Sequence, residues 1–410
     1  MAKADGLLKI VVHDYSGHPG QVQLSRTLAS RGHSVAYQHC PSYVSGRGAV
    51  KHLPDDPMNL RFEPFPLNSD FNRYSVWHRF FQEIQYGIKV GRHTAREVPD
   101  VMIISNVPLL AHAVLAMNLR LRHIPMIFWQ QDIYSSAIGA AARRKFPIFG
   151  SAIAWAADRI ERLIAKSSTA VVAISPVFLD KLDVWGVAHK TTVIPNWAPI
   201  DELPVRARQN AWSDRMGLSK MPVVMYSGTL GLKHDPSILA LIAKGLGESN
   251  PDARVVVVSE GLGRKWLEQW RLDNSADNLI LLDFQSYEDL PMMLASADIL
   301  VAVLEPDASK YSVPSKVLTY LCSGRAILGI IPYDNSVAEV LWGNEVGLVA
   351  DPAEREKLHE AISELLADET HRHQLGQAAR EYAEREFRVD RAANQFEAIF
   401  RRHDLLISGQ

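Results

Sequence analysis

A glycine-rich loop with one lysine, residues 227–233, has the residue types of a phosphate-binding turn. It reads Ser-Gly-Thr-Leu-Gly-Leu-Lys and connects the apolar run Val223 to Tyr226 with a helix start marked by Asp235 and Pro236. Unpaired N–H groups at such a turn, together with a cation, favour an anion. The sequence predicts a phosphate cradle made by Gly228, Thr229, Gly231 and Lys233. A tight turn with a solvated lysine is the alternative.

A second candidate cradle occupies residues 313–324, where Val-Pro-Ser-Lys opens a short helix that Gly324 closes. Its first turn offers backbone N–H groups beside Ser315 and Lys316. A departing nucleoside diphosphate gains negative charge as its bond to sugar breaks, so Lys233, Lys316 and Arg264 would stabilise the transition state. Lysines at exposed helix starts are otherwise simply solvated, and that interpretation stays open.

Polar residues in the first half follow two predicted strands. His13, Gly17, His18 and Gly20 come at the end of the first strand, and Asp132 comes shortly after a later one. Asp132 could orient or deprotonate an acceptor hydroxyl, and the other four would line the acceptor site. Asp132 could instead be a cap or turn residue, and a structural or substrate-orienting role suits both histidines better than acid–base chemistry.

Short apolar runs alternate with helical sequence and place these residues at strand ends. The predicted strands are Leu7 to Val12, Val101 to Ser105, Pro125 to Trp129, Ala170 to Ser175, Thr192 to Ile194, Val223 to Tyr226, Val255 to Ser259, Leu279 to Asp283, Ile299 to Leu304 and Ala326 to Ile331. Asp235 with Pro236, and Ser336 with Glu339, mark helix starts. We expect an α/β fold of two doubly wound, Rossmann-like parallel-sheet domains that face each other across a cleft.

A polar stretch after Trp197, which contains Pro204, Arg206 and Arg208, marks the boundary between the two domains. We predict a first domain over residues 1–200 and a second that begins at residue 201. The chain has 410 residues, of which 47% are hydrophobic, and this length fits two cores better than one.

Composition excludes several protein classes. Residues that could form a signal leader, a run of about 18 apolar residues or a metal-binding Cys/His cluster are missing, and the two cysteines, Cys40 and Cys322, lie far apart. We therefore expect a cytoplasmic enzyme without a metal or cofactor and without a nucleic-acid partner.

Charge is divided unevenly along the chain. Residues 1–200 carry 22 Lys and Arg against 14 Asp and Glu, whereas residues 201–410 carry 22 against 32. The first half is thus suited to an anionic partner, although ordinary drift in charge between domains explains the difference equally well. Two stretches supply much of the positive charge beside aromatic residues, Arg79 to Arg96 and Arg143 to Gly150. They indicate peripheral contact with an anionic inner-membrane surface, with helix packing as the alternative.

Several motifs, in this order and spacing, resemble the retaining glycosyltransferases of family 4, which have the GT-B fold, and especially the bacterial fucosyl-type enzymes of capsule, colanic acid and O-antigen assembly. The resemblance covers nearly the whole chain. It rests on Gly17 to Gly20, Trp129 to Asp132, Ala173 to Ser175, Ile194 to Trp197, Tyr226 to Gly231, Glu260 to Gly263 and Val313 to Gly324.

The resemblance implies that the Gly228 loop and Lys233 bind the donor diphosphate from one side, and Ser315 and Lys316 from the other. The acceptor would enter over Gly17 to Gly20. The second domain would end at residue 385, and the terminal helix, in residues 386–410, would return to the first domain. Family members commonly carry two glutamates eight positions apart, the second binding the donor ribose. Tyr311 and Thr319 stand there in this chain, so Glu305 is the candidate carboxylate and Thr319 the residue in the ribose position.

The expected reaction moves a sugar, with retention, from a UDP- or GDP-linked donor, a deoxysugar being one candidate, to a saccharide or lipid-linked acceptor. Same-face attack, helped by the departing phosphate, needs mainly positioning and charge stabilisation. Two alternatives remain: a sugar-nucleotide epimerase on the same fold, and a non-catalytic sugar-binding protein. Nicotinamide-dependent oxidoreduction is disfavoured because the full glycine fingerprint is absent.

Overall fold

A computed structural model describes residues 6–42, 48–67, 76–230, 235–304 and 315–405. The chain forms two compact units: unit 1 runs to Asn196 and resumes at Val389, and unit 2 spans Trp197–Arg388. The C-terminal segment belongs to unit 1, as the resemblance implied.

Unit 1 contains a parallel sheet that, in the described residues, has seven strands in the order β3-β2-β1-β4-β5-β6-β7. The strands are β1 (Lys9–Asp14), β2 (Ser34–His39), β3 (Leu60–Pro64), β4 (Val101–Ser105), β5 (Met126–Gln130), β6 (Ala170–Ala173) and β7 (Thr191–Val193). The helices are α1 (Pro19–Ser30), α2 (Val76–Glu97), α3 (Leu109–Leu121), α4 (Tyr134–Lys145), α5 (Gly150–Ser167) and α6 (Leu179–Val184).

Unit 2 contains a second parallel sheet, with six strands in its described part and the order β10-β9-β8-β11-β12-β13. The strands are β8 (Val223–Ser227), β9 (Arg254–Val258), β10 (Leu279–Leu282), β11 (Ile299–Val303), β12 (Ala326–Ile330) and β13 (Leu348–Ala350). The helices are α7 (Ala211–Arg215), α8 (Pro236–Ser249), α9 (Leu262–Asp273), α10 (Leu290–Ala295), α11 (Ser315–Cys322), α12 (Ser336–Gly343), α13 (Arg355–Ala367) and α14 (Glu369–Glu386).

The last helix, α15 (Val389–Arg402), completes unit 1 by packing against α1. Its Phe396 ring lies edge-on to Trp129 of β5 with ring centroids 5.2 Å apart. Its Glu397 pairs with Arg31, which follows α1, at 3.1 Å. The prediction of two Rossmann-like units with a returning C-terminal helix is confirmed.

Strand burial explains why the sequence pattern was readable. All residues of β4, β5, β11 and β12 are buried, because helices cover both faces of a parallel sheet. Apart from Ser105 and Gln130, which end β4 and β5, these strands carry no polar side chain. In each sheet the strand order reverses beside the first strand, so that β1 lies between β2 and β4, and β8 between β9 and β11. Ligands of such sheets bind at this reversal, beyond the carboxyl ends of the strands.

Candidate functional site

Asp14, the last residue of β1, organises the carboxyl edge of unit 1. Its buried carboxylate accepts hydrogen bonds from the His18 backbone N–H at 2.5 Å, the Asn106 side chain at 3.0 Å and the Tyr37 hydroxyl at 3.1 Å. Burial alone would raise the pKa of Asp14, but the hydrogen bonds from His18 and Asn106 hold it below its usual value. The group is therefore a fixed negative charge that shapes the loop after β1.

His18 sits at the start of α1, with its ring Nδ1 3.7 Å from the Asp14 carboxylate. Burial lowers the pKa of His18, but the Asp14 carboxylate and the charge of Asp132 outweigh this and raise it. Gly17 has a φ of +78°, a conformation that favours glycine, and the turn it makes brings His18 back to Asp14. Gly20 is the second residue of α1.

Asp132 is exposed two residues beyond β5, and its charge acts on His18. The structure thus brings together two residues that are 114 positions apart and that the sequence placed at separate strand ends. Next to Asp132, the Gln131 side chain exchanges two hydrogen bonds with Asn196, at 2.8 and 3.1 Å. This amide pair ties the end of β5 to the segment after β7, and sequence reasoning did not identify it.

The side chain of His13 lies in the interior instead of on the surface. It is 0% exposed, and burial lowers its pKa to about 4. Its Nε2 is 3.5 Å from the Tyr86 hydroxyl, while Nδ1 has no hydrogen-bond partner among the described residues. His112 of α3 is also buried, and its pKa is lowered to about 3 by burial and by the nearby His13. In this structure His13 offers no exposed atom to an acceptor, and its ring packs against Tyr86 of α2 in the interior.

Lys316, the second residue of α11, is a cation near the carboxyl end of β8 in unit 2. Its Nζ donates to the Tyr226 hydroxyl at 2.5 Å and lies 4.2 Å from the centre of that ring. Burial lowers the pKa of Lys316 to about 7. An anion that binds next to this lysine would stabilise its ammonium form, because little solvent is present to do so.

Gly228 leaves the space that Lys316 occupies. It has a φ of +147°, and a Cβ atom there would lie 3.2 Å from Cε of Lys316. The Tyr320 hydroxyl of α11 accepts from the Ser227 N–H at 2.8 Å and donates to the Ser227 carbonyl at 3.0 Å. These hydrogen bonds fix the end of β8 to α11, the helix that carries Lys316. Neither Tyr226 nor Tyr320 was singled out as a contact of this site from the sequence.

The loop after β9 packs against the loop after β8. The Leu230 N–H donates to the Ser259 hydroxyl at 3.1 Å, and the Gly263 N–H donates to the Leu230 carbonyl at 3.2 Å. Gly261 has a φ of +107°, and a Cβ atom there would lie 2.9 Å from the Leu230 oxygen. Both glycines are needed because the two backbones approach so closely.

The remaining predicted donor residues are placed as follows. Arg264, in the first turn of α9, forms an ion pair with exposed Asp283 at 3.1 Å. Thr229 is exposed, and its carbonyl accepts from the Tyr226 hydroxyl at 3.1 Å. Thr319 is partly buried on α11, one turn beyond Lys316.

Some of the predicted site falls in residues whose structure is not described. Gly231, Lys233 and Glu305 lie outside the described ranges, as does Tyr311. Ser315 begins α11, but only its backbone is described. Within the described ranges, no cluster of three or more His, Cys, Asp or Glu could hold a metal ion. No helix among the same residues is both long and apolar enough to cross a bilayer.

Two family models match the two units. The "Glycosyl transferase 4-like domain" matches residues 19–197, and "Glycosyl transferases group 1" matches residues 209–382. The chain belongs to the family 4 glycosyltransferases of the GT-B fold. This family membership confirms the resemblance stated from the motifs.

Individual relatives of this glycosyltransferase chain are distant in sequence. An Escherichia coli (strain K12) protein described as a colanic acid biosynthesis glycosyl transferase, WcaI, is 26% identical over 63% of this chain and 62% of its own length. The alpha-D-kanosaminyltransferase of Streptomyces kanamyceticus is 23% identical over 48% of this chain and 49% of its own. The chain thus spans about half to three fifths of the curated relatives it matches.

Solved structures match over nearly the full chain and show the fold. The Anabaena protein HepE, crystallised with UDP and glucose, has a TM-score of 0.68 at 17% identity and covers 95% of this chain and 98% of its own. WaaG, a glycosyltransferase of lipopolysaccharide biosynthesis, has a TM-score of 0.65 at 16% identity, with 94% and 99% covered.

Proposed function

We propose that the protein transfers a sugar from a nucleotide-diphospho-sugar to a saccharide acceptor. The observation that carries this proposal is the partly buried Lys316, whose ammonium donates to the hydroxyl of Tyr226 near the carboxyl end of β8. Family membership supports it, as does the UDP and glucose complex of the similar Anabaena protein.

Unit 2 would bind the donor. Lys316 would pair with the diphosphate, whose negative charge grows as the sugar leaves, and Lys233 would approach from the loop after β8. Gly228, Thr229 and Gly231 would form the wall of that loop, and Ser315 would present the first N–H groups of α11. Arg264, Glu305 and Thr319 complete the proposed donor contacts.

Unit 1 would bind the acceptor over Gly17, His18 and Gly20. His18 carries a raised pKa beside Asp14 and Asp132, so it can donate a hydrogen bond to an acceptor oxygen. Asp132 is exposed and would orient the attacking hydroxyl. His13 would support this edge from the interior, which replaces the direct contact first expected of it.

We further propose a cytoplasmic enzyme that acts on a lipid-linked saccharide in bacterial surface polysaccharide synthesis, with a UDP- or GDP-linked sugar, including a deoxysugar, as donor. Retention would follow from attack on the face that the diphosphate leaves, with a phosphate oxygen taking the acceptor proton. This chemistry requires positioning and charge stabilisation, for which no metal or cofactor is proposed.

The test is a panel of UDP-, GDP- and dTDP-sugars measured first by thermal stabilisation of the protein. A bound donor at 100 times its dissociation constant stabilises the fold by about 2.7 kcal/mol, which is readily detected. The stabilising donor is then incubated with saccharide and lipid-linked acceptors, and release of nucleoside diphosphate is followed. Lys316→Met should lose both signals, whereas Lys244→Met, at an exposed lysine of the same unit, should keep both.

Stabilisation by no member of the panel would contradict the proposal. Donor binding without acceptor-dependent release would contradict transfer, and free epimerised sugar in the absence of acceptor would favour the epimerase. Binding of a sugar alone, without nucleotide, would favour the non-catalytic sugar-binding protein.

A further inference from the structure

The turn between α4 and α5 displays apolar and basic side chains together on the surface of unit 1. Ile148 is 84% exposed and Phe149 is 68% exposed, which is unusual for large apolar residues placed next to each other. The three residues that end α4, Arg143, Arg144 and Lys145, are exposed as well.

This turn is held by close packing. The Phe146 N–H donates to the Ala142 carbonyl at 2.8 Å, and the Gly150 N–H donates to the Phe146 carbonyl at 2.7 Å. A Cβ atom on Gly150 would lie 2.6 Å from the Ala142 oxygen, and one on Gly139 would lie 3.0 Å from Cβ of Ala154. Helices α4 and α5 are therefore in contact at these glycines. Ile148 and Phe149 are carried by a turn that this packing and the backbone hydrogen bonds hold in place.

The exposed face of α5 continues the same composition. Trp155, Arg159, Leu163 and Lys166 are all exposed and recur at three- and four-residue spacing, which places them along one stripe of the helix. We call the exposed residues of the turn and this stripe the α4–α5 surface: Arg143, Arg144, Lys145, Phe146, Ile148, Phe149, Ile153, Trp155, Arg159, Leu163 and Lys166.

Negative charge is almost absent from this face. Neither α4 nor α3, which also packs against α5, contains an acidic residue. Of the two acids in α5, Asp158 pairs with Lys181 at 2.6 Å, and Glu161 is buried, where it accepts hydrogen bonds from Tyr134 and Ser135. The cations of the α4–α5 surface are thus available to an external anionic partner.

We infer that the α4–α5 surface docks on a lipid bilayer rich in anionic headgroups. Ile148, Phe149 and Trp155 would enter the boundary between headgroups and acyl chains, while the flanking arginines and lysines pair with lipid phosphates. The charge of the surface selects this occupant, because a second copy of the chain would bring the same positive charges together. The inference gives the membrane contact predicted from the sequence a defined surface, which begins at the opposite end of α4 from Asp132.

The experiment is sedimentation of the purified 410-residue protein with vesicles of phosphatidylcholine, with or without phosphatidylglycerol. We expect binding to the anionic vesicles only, and weaker binding as salt rises well above about 0.1 M, where surface charges are screened. Each cation near an anionic surface strengthens binding about fivefold, so R143Q/R144Q/K145Q should lose about 100-fold. I148S/F149S should lose at least about tenfold through lost apolar burial.

Matched variants on unit 2 serve as controls. R206Q/K220Q/K244Q removes three exposed cations, and L272S/W342S removes two exposed apolar side chains; both should bind like the parent protein. Because all these residues are on the surface, thermal unfolding should show intact folds.

Equal loss in the unit 2 controls, or no binding to anionic vesicles by the parent protein, would overturn the inference. So would concentration-dependent self-association that I148S/F149S abolishes, since the surface would then bind a second copy. Nucleotide release from a soluble saccharide acceptor is measured in parallel. Its retention in the I148S/F149S protein would separate membrane docking from the transfer reaction.

Discussion

We expect the affinity for UDP, one of the two nucleotides proposed for the donor, to fall as pH rises above 7, because Lys316 would lose its proton in the empty site. Burial lowers the pKa of this lysine to about 7, compared with a usual value of 10.5. Only the ammonium form can pair with a diphosphate, and a bound diphosphate would raise the pKa again. Protonation of Lys316 therefore favours binding of the diphosphate, and alkaline pH weakens it.

The size of the effect follows from the charged fraction of Lys316. About half of the free protein carries the ammonium at pH 7 and about 1% at pH 9, and the apparent dissociation constant is the intrinsic one divided by that fraction. The constant should therefore rise about 50-fold between pH 7 and pH 9, approaching tenfold per unit. The nucleotide contributes little to this rise, since phosphate second ionisation lies near pH 6.

Isothermal titration calorimetry with UDP across this pH range measures the effect. Lys316→Met should bind UDP weakly and without this pH dependence, and Lys244→Met should behave like the parent protein. A dissociation constant that stays level from pH 7 to 9 in the parent protein would refute the reasoning, as would an equal rise in Lys316→Met.

Three further predictions address the glycine turn, the acceptor edge and the interior of unit 1. Gly228→Ala should weaken UDP binding at least about tenfold, because its Cβ would press on the side chain of Lys316. The control is Gly217→Ala, which has open space around it and a φ of +69° and should lower only the stability of the protein. Calorimetry compares the affinities of the two variants, and thermal melts compare their stabilities. Asp132→Asn should lower the pKa of His18 in an NMR titration and slow turnover more than it weakens UDP binding; an unchanged titration would remove Asp132 from the site. The free energy of unfolding should fall as pH drops from about 6.5 to about 4, and His13 should contribute up to about 1.4 kcal/mol per pH unit to this fall. The reason is that His13 takes up a proton in the unfolded chain but stays neutral when it is buried in the folded one. Urea unfolding of His13→Leu should show a weaker dependence on pH.

The local sequence predicted elements whose residues share one environment. Fully apolar strands such as β11 and β12 were recognised because both faces of the sheet are covered. The strands β2, β3 and β13 were missed. β2 contains Ser34, Gln38 and His39, and its strand character comes from pairing with β1.

Helix starts show the same dependence on context. Asp235 caps α8 as predicted, accepting from the Ser237 N–H at 2.9 Å. The cap predicted at Ser336 was wrong, because Asn335 takes that position and accepts from the Val337 N–H. Both residue types cap helices well, so only the path of the chain decides between neighbours.

By itself, the sequence determined the two-sheet architecture and the strand ends where polar and glycine residues gather. These depend on hydrophobic periodicity and turn chemistry, which are local properties. The tertiary structure alone decided which of those residues act together. Lys316 meets a tyrosine 90 positions away, Asp132 acts on His18, and His13 is enclosed next to the exposed edge. Contact between distant strands, and the burial that shifts a pKa, arise only when the sheet is assembled.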